Sequence, residues 1–217
     1  MKKNLVYMTQ ARGFSLIEMA MVLMIIALVL GGLLPTLSSQ IEQRQVSETR
    51  KQLDEIQQAL IGYAVANGRL PCPASSTSNG LESPLGGGNC SNFYNGYLPA
   101  ATLGLNGAVS SQGLILDAWG NPIRYAVSKW SSTTPNVPYV FTATSGAGMS
   151  QVGIAGLTPN LLVCSTAPAN NASSCTTGTA LTPNNTPAII FSTGKNGSGT
   201  GADESNNSTN NNNAIFV

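Results

Sequence analysis

Residues able to do acid–base, nucleophilic or metal chemistry are few in this chain of 217 residues, and they are scattered. Histidine is absent. That excludes Ser-His-Asp and Cys-His catalysis, and zinc sites that need imidazole. Of the nine acids, Asp54 and Glu55 fall in a helical pattern and read as surface charges. The stretch GKNGSG (194–199) lacks the spacing of a phosphate loop, and no helix-forming run follows it. The four cysteines, Cys72, Cys90, Cys164 and Cys175, all lie after a long apolar run. An even count in an exported segment reads as disulfides. Proximity favours Cys72–Cys90 and Cys164–Cys175, one of three connectivities; buried free thiols are the alternative. Zinc is disfavoured by the long, irregular spacings. The acid that stands apart is Glu18, in RGFSLIE at the head of the apolar run. A carboxylate in hydrocarbon is costly and usually functional.

Phe14 to Leu34 holds only Ser15 and Glu18 as polar side chains. At about 1.5 Å per residue the run is about 30 Å long, the thickness of a bilayer core. Lys2, Lys3 and Arg12 precede it and would keep that end in the cytoplasm. The remainder would then face an oxidising compartment, consistent with the cysteines. A plain signal anchor is one reading. A cleaved secretory signal is another, but no small-residue site follows the run. Net charge is +1. Without residues 1–13, seven basic and nine acidic side chains remain (10 less Lys2, Lys3 and Arg12, against 9). No basic patch marks nucleic-acid binding.

RGFSLIE resembles the recognition site of type IV prepilins and type II secretion pseudopilins. The resemblance implies a leader of residues 1–13, cleavage after Gly13 and N-methylation of Phe14. Glu18 becomes the fifth residue of the mature chain, as the family pattern requires. Pro35 becomes the twenty-second, where many type IV pilins also carry proline. Burying a carboxylate with an ammonium costs less than burying either alone. Glu18 of one subunit could therefore neutralise the Phe14 amine of a neighbour and set register. Gly31-Gly32 and Pro35 predict a bend or a meltable segment. The alternative is a helix that ends there, with another starting after Ser38 or Ser39.

Residues 40–66 read as an amphipathic helix, with Ile41, Val46, Leu53, Ile56, Leu60 and Ala64 on one stripe. Asn67-Gly68 ends it, and Pro71 and Pro73 prevent resumption. The stripe is too short for a stand-alone coiled coil. Residues 70–99 should form a long loop tied by a disulfide. GLILDAWGNPIRYAV predicts strands at Leu114–Leu116 and Ile123–Val127 around a turn. It also resembles the D-x-W-G-x-P stretch of many pseudopilins and some pilins, through Asp117, Trp119, Gly120 and Pro122. Trp119 reads as a core anchor and Asp117 as a turn residue. Further strands are expected at Tyr139–Ala143, Leu161–Cys164, Ala188–Ser192 and Ala214–Val217.

The expected fold is α+β: a long N-terminal helix, half transmembrane and half amphipathic, on a small antiparallel sheet, the αβ-roll of pilins. The regions are a leader (1–13), a filament-core helix (14–35), the amphipathic half (36–67), a disulfide-tied loop region (68–112) and the sheet with its C-terminal loop (113–217). No catalytic residue and no firm cofactor are expected. Ser192, Gly194 and Gly197 match a turn that precedes the calcium loop of major pseudopilins, which makes Asp203 and Glu204 calcium candidates, though that loop is richer in acids in those proteins. The resemblance implies a non-enzymatic filament subunit, a minor pilin or a secretion pseudopilin. Its implied partners are a prepilin peptidase that also methylates, sister pilins or pseudopilins, an inner-membrane platform and an ATPase. Its implied location is the bacterial inner membrane as precursor, then a pilus or a periplasmic pseudopilus. A monomeric membrane-anchored binding module is the alternative from another class.

Overall fold

The computed structural model describes residues 13–129, 132–133, 136–137, 139–144, 148–153, 156–166, 174–175, 179–182, 186–197, 199, 201–209 and 214–217; the side chains of 31–37, 132–133, 136–137, 202, 206 and 208–209 are not described. Two compact units emerge, Met1–Arg44 and Gln45–Val217.

Helix α1 runs Leu16–Asn67, 52 residues. It passes through Gly31, Gly32 and Pro35 as one helix, so the alternative of two helices does not hold. Pro35 has no N–H, which leaves the Gly31 carbonyl without its helical partner. The C-terminal stop falls at the expected place: Gly68 takes φ +65° and its N–H donates to the Ala64 carbonyl at 2.8 Å. Glycine is suited to that left-handed position.

In the first unit the described apolar side chains of α1 are exposed, from Leu16 (93%) through Leu30 (55%). Among the described residues no helix is long and apolar enough to cross a membrane. The expected span Phe14–Leu34 is described side chain by side chain only to Leu30.

In the second unit, β1 (Gly96–Tyr97), α2 (Ala100–Leu103), β2 (Arg124–Val127), β3 (Ser132–Thr133), β4 (Asn136–Val137), α3 (Met149–Val152), β5 (Leu162–Val163), β6 (Ala188–Phe191), α4 (Ala202–Thr209) and β7 (Ile215–Phe216) follow in order. The α+β expectation of a long helix and a small antiparallel sheet holds, and among the described residues two further two-stranded pairs accompany that sheet. The largest sheet has the order β1-β2-β6 and is antiparallel. Strands β3 and β4 form an antiparallel pair, and β5 and β7 a parallel one. Parallel pairing needs a crossover, and α4 lies within the one that leads to β7.

Other expected strands change character. Leu114–Leu116 forms only isolated bridges, Val109 with Ile115 and Leu116 with Pro122. Pro122 lacks the N–H that would extend a ladder. Tyr139–Ala143 is a turn rather than a strand: Tyr139 takes φ +55°, and the Thr142 N–H donates to the Tyr139 carbonyl at 2.8 Å. The run is apolar because Val140 and Phe141 enter the core. The C-terminal Asn/Ser stretch, expected as a solvated loop, contains α4.

Ile56 and Leu60 of α1 pack in this core with Leu98, Ile123, Tyr125, Val127 and Phe141. A second cluster gathers Ala126, Leu161 and Phe216. Cys72 pairs with Cys90 and Cys164 with Cys175, and no described cysteine is free.

Candidate functional site at the start of the long helix

The first helical residue of α1 is Leu16, and Gly13, Phe14 and Ser15 before it are not helical. Ser15 is its N-cap. Its carbonyl accepts the first helical bond, from the Met19 N–H at 3.2 Å. Its hydroxyl accepts the Glu18 N–H at 3.2 Å, and the Glu18 carboxylate accepts the Ser15 N–H through Oε2 at 2.9 Å. Two orphan donors of the helix end are thus satisfied reciprocally, the arrangement of a capping box. A carboxylate in the first turn also meets the positive end of the helix dipole. The sequence signal for it, S-x-x-E, is present in SLIE.

Phe14 is 84% exposed. A Cβ built on Gly13 would meet nothing within 4 Å, and its φ lies outside the left-handed region. Among the described residues neither packing nor backbone conformation demands glycine at 13. A non-helical Gly-Phe bond, an exposed aromatic and a capped acid thus stand within six residues, 13–18. Residues 8–34 match the prokaryotic N-terminal methylation motif. The chain carries the prepilin-type signature of type IV pilins and pseudopilins. No curated protein and no solved structure matches the chain. The prepilin-type match ends at residue 34, so the second unit rests on its own geometry.

Two stretches singled out in the sequence meet there. The Asp117 carboxylate accepts the N–H groups of Trp119 (2.9 Å) and Asn121 (2.8 Å) through Oδ1, closing the DAWGNP turn. Its Oδ2 accepts the Ser192 hydroxyl at 2.5 Å. Asn121 donates from Nδ2 to the Gly194 carbonyl at 2.6 Å. Gly120, Gly194 and Gly197 all have positive φ, and Pro122 sits in the bridge to Leu116. Asp117 is therefore a structural acceptor with three donors. Trp119 departs from expectation: it is half-buried and belongs to neither core cluster. Its backbone is held at the turn by Asp117, outside the core. The buried aromatic anchor is Tyr125, fully enclosed and donating its hydroxyl to the Pro71 carbonyl at 3.1 Å.

Asp203 and Glu204 lie in the first turn of α4. Glu204 accepts from the Gly201 N–H at 3.2 Å and from Asn196 Nδ2 at 3.3 Å. Among the described residues no group of three or more His, Cys, Asp or Glu comes together as a metal site.

An ion pair absent from the sequence reading closes the loop after α1. Arg69 and Glu82, 8% and 5% exposed, form a bidentate pair at 2.8 and 2.7 Å. Glu82 also accepts the N–H groups of Cys72 and Gly86, each at 3.1 Å. The Arg69 guanidinium lies 5.3 Å from the Tyr63 ring centroid. Burial would raise the Glu82 carboxyl; the Arg69 hydrogen bond, the Cys72 N–H and the Arg69 charge outweigh it and hold the group below its ordinary value.

Proposed function

We propose that this chain is a structural subunit of a type IV pilus-like filament, of the minor-pilin kind, made as a membrane-anchored precursor. The observation that carries the reading is the prepilin-type motif at the head of a helix whose described apolar side chains its own unit leaves uncovered. Such a surface needs lipid first and other apolar helices afterwards. Lys2, Lys3 and Arg12 would hold the leader in the cytoplasm, and both disulfides suit an extracytoplasmic second unit. A prepilin peptidase would cut after Gly13 and methylate Phe14. Sister pilins, an inner-membrane platform and an ATPase would complete assembly, with Glu18 and Pro35 acting in packing. The filament would stand as a pilus at the cell surface or a pseudopilus in the periplasm.

A type II secretion pseudopilin is the second reading, favoured by the DAWGNP turn. No catalytic step is assigned to the chain, since its best-placed acids, Asp117 and Glu82, are engaged in holding turns and loops.

The deciding experiment is the intact mass of the chain in a sheared surface fraction, expressed with its native assembly machinery. A mass that starts at Phe14, with one methyl added and four hydrogens lost, is expected. An uncleaved chain confined to the inner membrane would make the anchored binding module the better reading. Glu18→Ala should be processed normally and give a several-fold lower filament yield; a normal yield would remove Glu18 from assembly.

A further inference from the structure

We infer that Ser15 is a positioning residue for processing: as the N-cap of α1 it keeps the Gly13–Phe14 bond outside the helix, in a form that a peptidase can take up. The inference rests on the proposed cleavage after Gly13. Three observations support it. Helix α1 starts at Leu16, directly after Ser15, while Gly13, Phe14 and Ser15 are non-helical. The boundary is set by the reciprocal bonds between Ser15 and Glu18. Independently, among the described residues no atom beyond the adjoining residues lies within 4 Å of where a Cβ on Gly13 would stand. Among the described residues nothing calls for glycine there, and the bare Cα leaves the backbone open to close approach by a peptidase.

Helix continuity across residues 13–15 would tie the scissile peptide into helical hydrogen bonds. Peptide segments are commonly taken up extended, through their main-chain donors and acceptors. The N-cap backbone is itself non-helical, so a good cap favours the open form. Hydrolysis adds water across the Gly13–Phe14 bond, leaving a carboxylate on Gly13 and an ammonium on Phe14. Ser15 takes no part in that exchange; it holds the bond where the exchange can occur. The hydroxyl of Ser15 bonds the Glu18 main-chain N–H, not only its side chain. Glu18→Ala therefore keeps the cap, and processing survives in it.

The test is the rate of leader removal from the full-length precursor in membranes that contain the processing peptidase, followed by intact mass, across Ser15 variants. N-cap preference runs Asn, Asp and Ser, then Thr and Gly, far above Ala. Ser15→Asn and Ser15→Gly should be cleaved at close to the wild-type rate, and Ser15→Ala several-fold more slowly. Glycine is the discriminating variant, because it caps a helix without any hydroxyl. If only Ser15→Thr matches wild type while Asn and Gly fail, the peptidase reads the hydroxyl itself and the capping role is overturned. Equal rates in all variants, Ala included, also overturn it while leaving cleavage after Gly13 intact. A wild-type chain that is never cut at Gly13–Phe14 overturns both this inference and the function on which it rests.

Discussion

The two units handle apolar surface in opposite ways. In Met1–Arg44 the large apolar side chains described on α1 stand open, as Leu23 and Ile25 do at 62% and 61% exposure. In Gln45–Val217 Leu98, Ile123 and Tyr125 are fully enclosed by residues distant in sequence. One unit leaves its described apolar side chains uncovered, which under the proposed function lipid and neighbouring subunits would cover. The other is completed by the chain itself. Substitutions of the same kind should therefore report to different assays: stability of the second unit, or packing of the first unit against lipid and neighbours.

The largest expected contrast follows. Tyr125→Ala removes a fully buried ring and should lower the unfolding free energy of the full-length chain in detergent by about 3–5 kcal/mol. Leu23→Ala, on the exposed face, should leave that unfolding midpoint unchanged. A similar loss from both would end the distinction between the units.

Next comes the buried pair. Glu82→Gln leaves Arg69 buried without its counter-charge and should cost about 3–5 kcal/mol, measured by denaturant unfolding. Replacing both partners together, as Arg69→Met with Glu82→Leu, should restore much of the loss. The pH dependence has a definite sign. Because the folded Glu82 carboxyl lies below its ordinary value, its stabilisation is fully present above the unfolded carboxyl value of about 4.3. It fades as pH falls through the folded value. Glu82→Gln should flatten that acid limb; an unchanged slope would show that another group controls it.

The smallest of the three concerns the meeting of two turns. Ser192→Ala removes one donor from a buried carboxylate that keeps two others. A loss of about 1–2 kcal/mol is expected in the same unfolding assay. No loss would mean that Asn121 and Gly194 alone hold the two turns together.

Legibility in the sequence followed the same division. The first unit is written in local patterns: an apolar run, a basic leader and an acid at a fixed distance from Gly13. The end of α1 at Asn67-Gly68 was equally local and fell where the stop residues placed it. The second unit depends on partners far apart. Nothing near Leu162 announces a parallel partner at Ile215. Arg69 and Glu82 sit thirteen residues apart in a loop without periodicity, so their pairing had no pattern to reveal it. The residues 139–143 misled because burial and strand formation produce the same apolar run, and only the backbone angle at Tyr139 separates them. Trp119 misled through size alone. The Ser15–Glu18 box was readable, but one acid can serve two purposes, and membrane cost drew attention to the other.

Three hydrogen bonds from α1 bear on sequence drift. Gln45 and Gln52 donate to the carbonyls of Ala118 and Leu116 at 3.2 and 3.0 Å, and the Thr49 hydroxyl accepts the Ala118 N–H at 3.3 Å. All three helix side chains grip main-chain atoms. A replacement at position 116 or 118 does not delete the atoms being gripped, whereas a replacement at 45, 49 or 52 does. A saturation library scored for folded protein should therefore show an asymmetric ledger of tolerance: permissive along the turn at those bonds, restrictive along the helix. Positions 116 and 118 are free to vary in what they display while their attachment to the helix stays the same.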